Sequence, residues 1–465
     1  MINQNTDMAI LISMVASLMV LLLESIGNRQ HKGLSIEKPH IRWLALSSLL
    51  GCLIYIIIGL WDEGLLMRRP LFYLNDISSA FLTINSAIAV LLGRKTLANH
   101  QNGENYFLIL ASLAISIGGI CNSSLVIKII SITGWLVLMT TLSIRTNSGG
   151  KKVEIGLKMT IAVIFVMLQL FFAIALLMLA DQPLDLELIN TNNLSNKTLV
   201  LFAIAFVACS GLSLSATPPF HFAHIDMADG GNISVAYLLF SNSFIQAAMM
   251  MISAKNTFLH TGITIENKIS LFGFMLLSGF MVLWLRALDQ TKVRRAVAYM
   301  AASIGPLFCM SILFGSSMLM PQLIFILAVF SFLTLALFAL FGSLAYMDEI
   351  NQSWQTWEDM SGFGRLGPIQ AITFMVAISS IAGLPGTLGY FIKLSLIAPF
   401  KDNLLFGGSI FLSIAIGAAC TMRIFVFMFS KQPQMVRNNN NKNPPFSLVI
   451  ASLILIFLGF FPFVR

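Results

Sequence analysis

Residues 212–231 read LSLSATPPFHFAHIDMADGG, an apolar, helix-forming run that meets Pro218 and Pro219 and is followed at once by two histidines and two aspartates. Proline lacks a backbone donor and clashes with the carbonyl of the preceding turn, so a helix arriving from residue 198 has to break here. What the break means depends on its solvent. Hydrophobic residues make up 57% of the 465-residue chain and charged residues 10%, far from the balance of a soluble domain. The chain reads as an integral membrane protein, and a break at membrane depth leaves carbonyls that only protein or water can satisfy.

Working outward from that break, apolar runs of about 20 residues, each long enough to cross a hydrocarbon core, recur along the whole chain. Fourteen are expected, over 7–26, 41–61, 74–94, 105–121, 124–144, 157–180, 198–217, 232–253, 268–287, 296–315, 321–346, 366–395, 405–430 and 445–463. The fold class is all-α and integral to the membrane. The first run has no basic residue before it and no small-residue cleavage signature, so it reads as a retained helix. Only Cys121, Asn122, Ser123 and Ser124 separate the fourth and fifth runs.

The net charge of +8 follows from topology rather than from a nucleic-acid partner. Most lysines and arginines outside the spans fall in odd-numbered loops, among them Arg29, Lys32, Lys38, Arg42, Arg145, Lys151, Lys152, Lys292, Arg294 and Arg295. The positive-inside rule therefore puts those loops in the cytoplasm and both termini outside, in a bacterial cytoplasmic membrane. Five cysteines lie singly in or beside apolar runs, with no C-x-x-C pair, so neither a disulfide framework nor a metal site is expected. No glycine-rich phosphate loop or nucleophile motif is present, and no cofactor is expected. The segment 347–365, with Trp354, Trp357, Glu358 and Asp359, reads as an interfacial turn, and 438–443, NNNNKN, as a surface linker.

The twelfth run is broken as the seventh is, at Gly383-Leu384-Pro385-Gly386. Gly/Pro interruptions at corresponding places in two halves point to an inverted-repeat transporter with its ion path at the breaks. Runs four to eight and nine to thirteen then form two five-helix units, broken in the fourth helix of each. The expected division is 1–104 for the first three helices, 105–253 and 254–430 for the two repeats, and 431–465 for a linker and the last helix.

Three stretches carry a resemblance. PPFHFAHIDMADGGNISVAYL keeps Pro219, Phe220, His221, Asp226, Gly230 and Val235 of a proline-phenylalanine-histidine motif; KVRRAVAYMAASI, residues 292–304, precedes the tenth run; AGLPGTLGYFIKLSL, residues 382–396, spans the second break. In order and spacing they resemble the proton-translocating antiporter-like family, which includes the large antiporter-like subunits of respiratory complex I, subunits of multisubunit Na+/H+ antiporters and membrane-bound hydrogenases, and the membrane subunit of inorganic-carbon accumulation complexes. The resemblance implies protons moving along a central chain of buried lysines, glutamates, histidines and waters. On this pattern Lys393 matches the lysine of the broken twelfth helix and Lys158 that of the sixth. The glutamate of the fifth helix falls near Ile132, the lysine of the seventh near Leu214 and the lysine or histidine of the eighth near Ser243 or Phe244, so these groups are missing. The eleventh run carries no Lys, Arg, His, Asp or Glu.

An ionisable side chain within the bilayer marks function by default, because it costs about 2.5–3.5 kcal/mol to insert. Burial disfavours the charged form of a lysine and a free carbonyl favours it, which lets such a group load and release a proton. Lys393 follows Pro385 by about two helical turns. Lys128 stands one turn before the missing glutamate and is the candidate for a relocated proton site. His221 is the candidate entry group. Around them, Ser213, Ser215, Thr217, Asn242 and Gln246 are candidates for a polar water wire. Arg423 does not release a proton usefully and reads as a structural charge.

Three functions remain open at this point: a subunit of a redox-driven proton pump or cation/proton antiporter; the membrane half of an inorganic-carbon complex with a soluble zinc-bearing partner; and a non-conducting subunit that anchors or assembles a complex. In each the chain is at most a non-catalytic membrane subunit beside other membrane subunits, surrounded by the lipid bilayer.

Overall fold

The computed structural model describes residues 4–30, 39–62, 70–93, 102–146, 151–186, 188–189, 197–260, 269–314, 319–350, 356–397, 404–429 and 446–460. Lys32, Lys38, Trp354 and the run 438–443 lie outside these residues. Among the described residues every regular element is an α-helix, and β structure is limited to two isolated bridges. In lipid, only elements that satisfy their own backbone groups can span, which is why the apolar runs become helices.

The helices are α1 (Gln4–Gln30), α2 (Pro39–Asp62), α3 (Pro70–Leu92), α4 (Asn102–Cys121), α5 (Leu125–Thr146), α6 (Lys151–Leu179), α7 (Lys197–Leu214), α8 (Phe222–Gly230), α9 (Ile233–His260), α10 (Ile269–Asp289), α11 (Val293–Ala302), α12 (Ile304–Phe314), α13 (Leu319–Ile350), α14 (Phe363–Leu366), α15 (Pro368–Ala382), α16 (Leu388–Ile397), α17 (Leu404–Phe429) and α18 (Phe446–Phe460). Among the described residues nine are long and apolar enough to cross a membrane. The fourth and fifth runs are separate helices, α4 and α5, divided at residues 122–124.

Two interruptions fall where proline predicts them, and a third was not expected. The seventh run stops at Leu214, earlier than its assigned end, because Ala216 takes a left-handed φ of 55° before Pro218. The twelfth run divides into α15 and α16 at the Gly383–Thr387 turn. There Gly383, at φ 80°, donates its N–H to the Ser379 and Ser380 carbonyls, and Leu384 donates to Ser379 at 3.0 Å. This glycine-capped end satisfies carbonyls that would otherwise be orphaned. The third interruption splits the tenth run at Ser303. Pro306 explains it, since its ring opposes the carbonyl of Ala302.

The chain forms two compact units: Met1–Leu214 with Gly230–Lys268, and Ser215–Asp229 with Ile269–Arg465. In the first, α9 is buried along its whole apolar length and packs on α3, α5 and α7. In the second, α10 packs on α11, α12 and α17, and α15 packs on α13, α17 and α18. The segment after the first break therefore leaves the unit that holds α7 and is built into the other.

Candidate functional site

The second unit contains a deeply enclosed lysine. Lys393 on α16 is 2% exposed, and its Nζ donates to the Ala382 carbonyl oxygen at 2.6 Å. Its position follows from the break: α15 ends at Ala382, the chain turns through Gly383 and Gly386, and α16 brings the lysine back to the carbonyl end of α15. That end carries the negative pole of a helix dipole, which favours an ammonium. The rings of Phe280 and Trp284 on α10 lie 5.1 and 5.3 Å from Nζ.

Glycines make this arrangement possible. A Cβ on Gly383 would stand 2.6 Å from Lys393 Cδ and 3.2 Å from Nζ. Gly383→Ala also forces a left-handed conformation on alanine. This substitution is expected to push the lysine off the Ala382 carbonyl and to destabilise the turn, read as a lower melting temperature.

The same unit holds the turn after α7. Ser215 and Thr217 share a 2.7 Å hydroxyl hydrogen bond, and both are buried. Gly279 of α10 faces this turn; a Cβ there would stand 3.0 Å from Thr217 Cγ2 and 3.1 Å from Pro218 Cδ. The His221 ring packs at 5.8 Å on Tyr299, and Asp226 pairs with Arg295 at 3.7 Å. Burial holds the His221 imidazole below its ordinary range, against a smaller upward pull from the Pro219 backbone and from Asp226. His224, fully enclosed, is pushed down to about 3 by burial and by the neighbouring His221. Both imidazoles are therefore held neutral at pH 7, His224 the more strongly of the two.

The first unit places the other candidates. Lys128, 6% exposed on α5, donates to Ser253 Oγ of α9 at 2.7 Å. Ser253 in turn donates to the Met249 carbonyl at 2.9 Å. Gln246 donates to Ser116 Oγ at 3.1 Å, and Ser213 to Gln169 Oε1 at 3.0 Å. Asn242 is fully buried, and neither its Nδ2 nor its Oδ1 has a hydrogen-bond partner among the described residues. Asn242, Gln246, Ser253 and Thr257 follow helical spacing along one stripe of α9. Of the water-wire candidates, Ser213, Asn242 and Gln246 lie in the first unit and Ser215 and Thr217 in the second.

Lys158 lies in an i,i+4 ion pair with Glu154 at 2.6 Å, with side chains 30% and 60% exposed. Exposed pairs of this kind contribute little, so Glu154→Gln is expected to change stability by less than about 1 kcal/mol, read as an unchanged melting temperature. Arg423 on α17 donates to the Leu288 carbonyl, the kind of backbone pairing expected of a structural charge.

Sequence reasoning missed two features. Lys255, 4% exposed, lies beyond the expected end of the eighth run at residue 253, whereas α9 continues to His260. Phe258 and Leu259 beyond it were the available signal. The pairing of Lys128 with Ser253, and of Lys393 with two rings of α10, had none, since these residues are far apart in the chain.

The family model described as NADH:quinone oxidoreductase/Mrp antiporter, transmembrane, matches residues 122–422. NADH-quinone oxidoreductase subunit N of Flavobacterium psychrophilum is 24% identical over 381 residues, 79% of this chain and 80% of that protein. The corresponding subunit of Flavobacterium johnsoniae is 24% identical over 83% of this chain and 84% of its own. In fold, the chain resembles one in respiratory complex I from Thermus thermophilus, with TM-score 0.73, 17% identity and coverage of 98% of this chain and 97% of that one. It also resembles one in the Mrp complex from a Dietzia species, with TM-score 0.78, 13% identity and coverage of 98% and 94%. The resemblance read from three motifs is borne out: the chain is a multi-pass membrane protein belonging to the NADH:quinone oxidoreductase/Mrp antiporter transmembrane family.

Proposed function

We propose that this chain is a proton-translocating, antiporter-like subunit of a multisubunit membrane complex, coupled to a reaction carried by other subunits. The observation that carries the reading is Lys393: a buried ammonium hydrogen-bonded to the carbonyl end of a broken helix, where a proton can be held and released. His221 is the entry group on the cytoplasmic side, Lys128 is the relocated proton site of the first unit, and Lys158 marks the start of the sixth helix's contribution. The scaffold is fourteen spans in two inverted five-helix repeats, with both termini outside the bacterial cytoplasmic membrane. The similar breaks after Leu214 and Ala382 support that symmetry.

The partners are other membrane subunits, as in the assemblies that hold the relatives, and a soluble subunit that supplies the driving reaction. A complex isolated through this chain and placed in vesicles should pass protons. Flux unchanged after neutralising both Lys393 and Lys128 would overturn the reading. The copurified subunits identify the reaction: iron–sulfur and flavin proteins for a pump, small antiporter subunits for a cation exchanger, a zinc-site protein for inorganic-carbon accumulation.

One observation favours a second reading, a subunit that assembles a complex without conducting. The first unit has Ile132, Leu214 and Ser243 where the family resemblance leads one to expect ionisable groups. Loss of assembly on deletion, with flux persisting in the residual complex, would decide for it.

A further inference from the structure

Among the described residues, Lys393 is enclosed without a carboxylate partner. Among the described residues its ammonium meets the Ala382 carbonyl at 2.6 Å and the rings of Phe280 and Trp284 at 5.1 and 5.3 Å. Both rings come from α10, one turn apart and so on one face, and they are 1% and 0% exposed. An aromatic face attracts a cation placed within about 6 Å, and more strongly when water is excluded. The carbonyl at the end of α15 adds the negative pole of that helix. Neither interaction favours a neutral amine to the same degree, so the rings act on the protonation of Lys393 and not only on its packing.

On α10, whose rings meet Lys393, and on the elements packed against α16, the described titratable or charged side chains are Arg286 and Asp289 on α10, Cys309 on α12, Tyr346 on α13, and Cys420 and Arg423 on α17. None of them pairs with Lys393.

We propose that Phe280 and Trp284 are positioning residues that stand in the place of a counter-ion, holding the Lys393 ammonium on the Ala382 carbonyl and stabilising its protonated form. Gly279, next to Phe280, touches the Thr217–Pro218 turn, so the same two turns of α10 contact both the break after α7 and the lysine of the break after α15. The proposal rests on the reading of Lys393 as a proton site, and its test separates the two.

Proton flux of the vesicle-embedded complex is followed across pH for wild type, Lys393→Ala, Phe280→Leu, Trp284→Leu and Trp284→Phe. Either leucine variant weakens the hold on the ammonium, so release begins at lower pH, and the midpoint of the profile is expected to move down by about 0.5–1.5 units. Trp284→Phe keeps an aromatic face and is expected to stay near the wild-type midpoint. A leucine variant that lowers flux at every pH with an unmoved midpoint shows packing alone and overturns the proposal. Wild-type flux in Lys393→Ala would instead overturn the role of the lysine itself.

If the leucine variants do not assemble, the wild-type complex labelled with 5-fluorotryptophan serves. The fluorine signal of Trp284, assigned by its loss in Trp284→Phe, is expected to titrate with pH and to stop doing so in Lys393→Met. A signal indifferent to pH in the wild type overturns the proposal.

Discussion

Lys393→Ala is expected to cut proton flux through the assembled complex by at least about a hundredfold, the low end of what removal of a positioned proton-transfer group costs. The complex should still assemble. An ammonium in a lipid-enclosed segment costs about 2.5–3.5 kcal/mol on insertion scales, so removing it relieves the chain of an unfavourable term. Loss of flux without loss of stability is the signature of a functional charge. The reverse pattern, full flux with a lowered melting temperature, would identify Lys393 as a structural hydrogen bond to Ala382. Lys393→Met, closer in volume, controls for the space that alanine leaves. Lys128→Ala should reduce flux less, because Lys128 reaches a serine hydroxyl rather than the end of a broken helix.

The largest effect on stability is expected from Gly389→Ala. A Cβ at this position would fall onto the Ser380 carbonyl oxygen, and 3.1 Å from the Phe332 ring. The obstacle is backbone, so no rotamer change relieves it, and α16 has to move away from the last turn of α15. Overpacking typically costs 1–3 kcal/mol and here should reach or exceed about 3 kcal/mol, read as a large fall in melting temperature and in the yield of complex. Gly408 on α17 is the control, since a Cβ there meets nothing within 4 Å. Gly408→Ala should be neutral or slightly stabilising, as expected for glycine to alanine within a helix. A melting temperature for Gly389→Ala as high as that of Gly408→Ala would refute the close packing of the two half-helices.

Much of this architecture is legible in the sequence because the bilayer leaves little choice. A long apolar run in lipid has to be a helix, and Pro218 and Pro385 have to interrupt one. Lys393 stands out by the same logic, as a charge beyond a break. The break at Ser303 was legible too, through Pro306, but its short apolar flanks read as one continuous span. Lys255 was lost to a boundary placed a few residues early, which is where reading from hydropathy is weakest.

What the sequence by itself determined is local: the helical runs, where proline and glycine stop them, which charges fall inside apolar surroundings and, through three motifs, the family. What the tertiary structure decided is which partners those charges meet. No spacing in the chain shows that Ala382 offers its carbonyl to Lys393, that Phe280 and Trp284 cover it, or that Lys128 reaches Ser253. It also decided that Ser215 and Thr217 leave the unit of Ser213, although the three lie within five residues of one another. The physical reason is that a helix break redirects the chain, and the direction it takes is set by close packing against distant helices, which local propensity does not record.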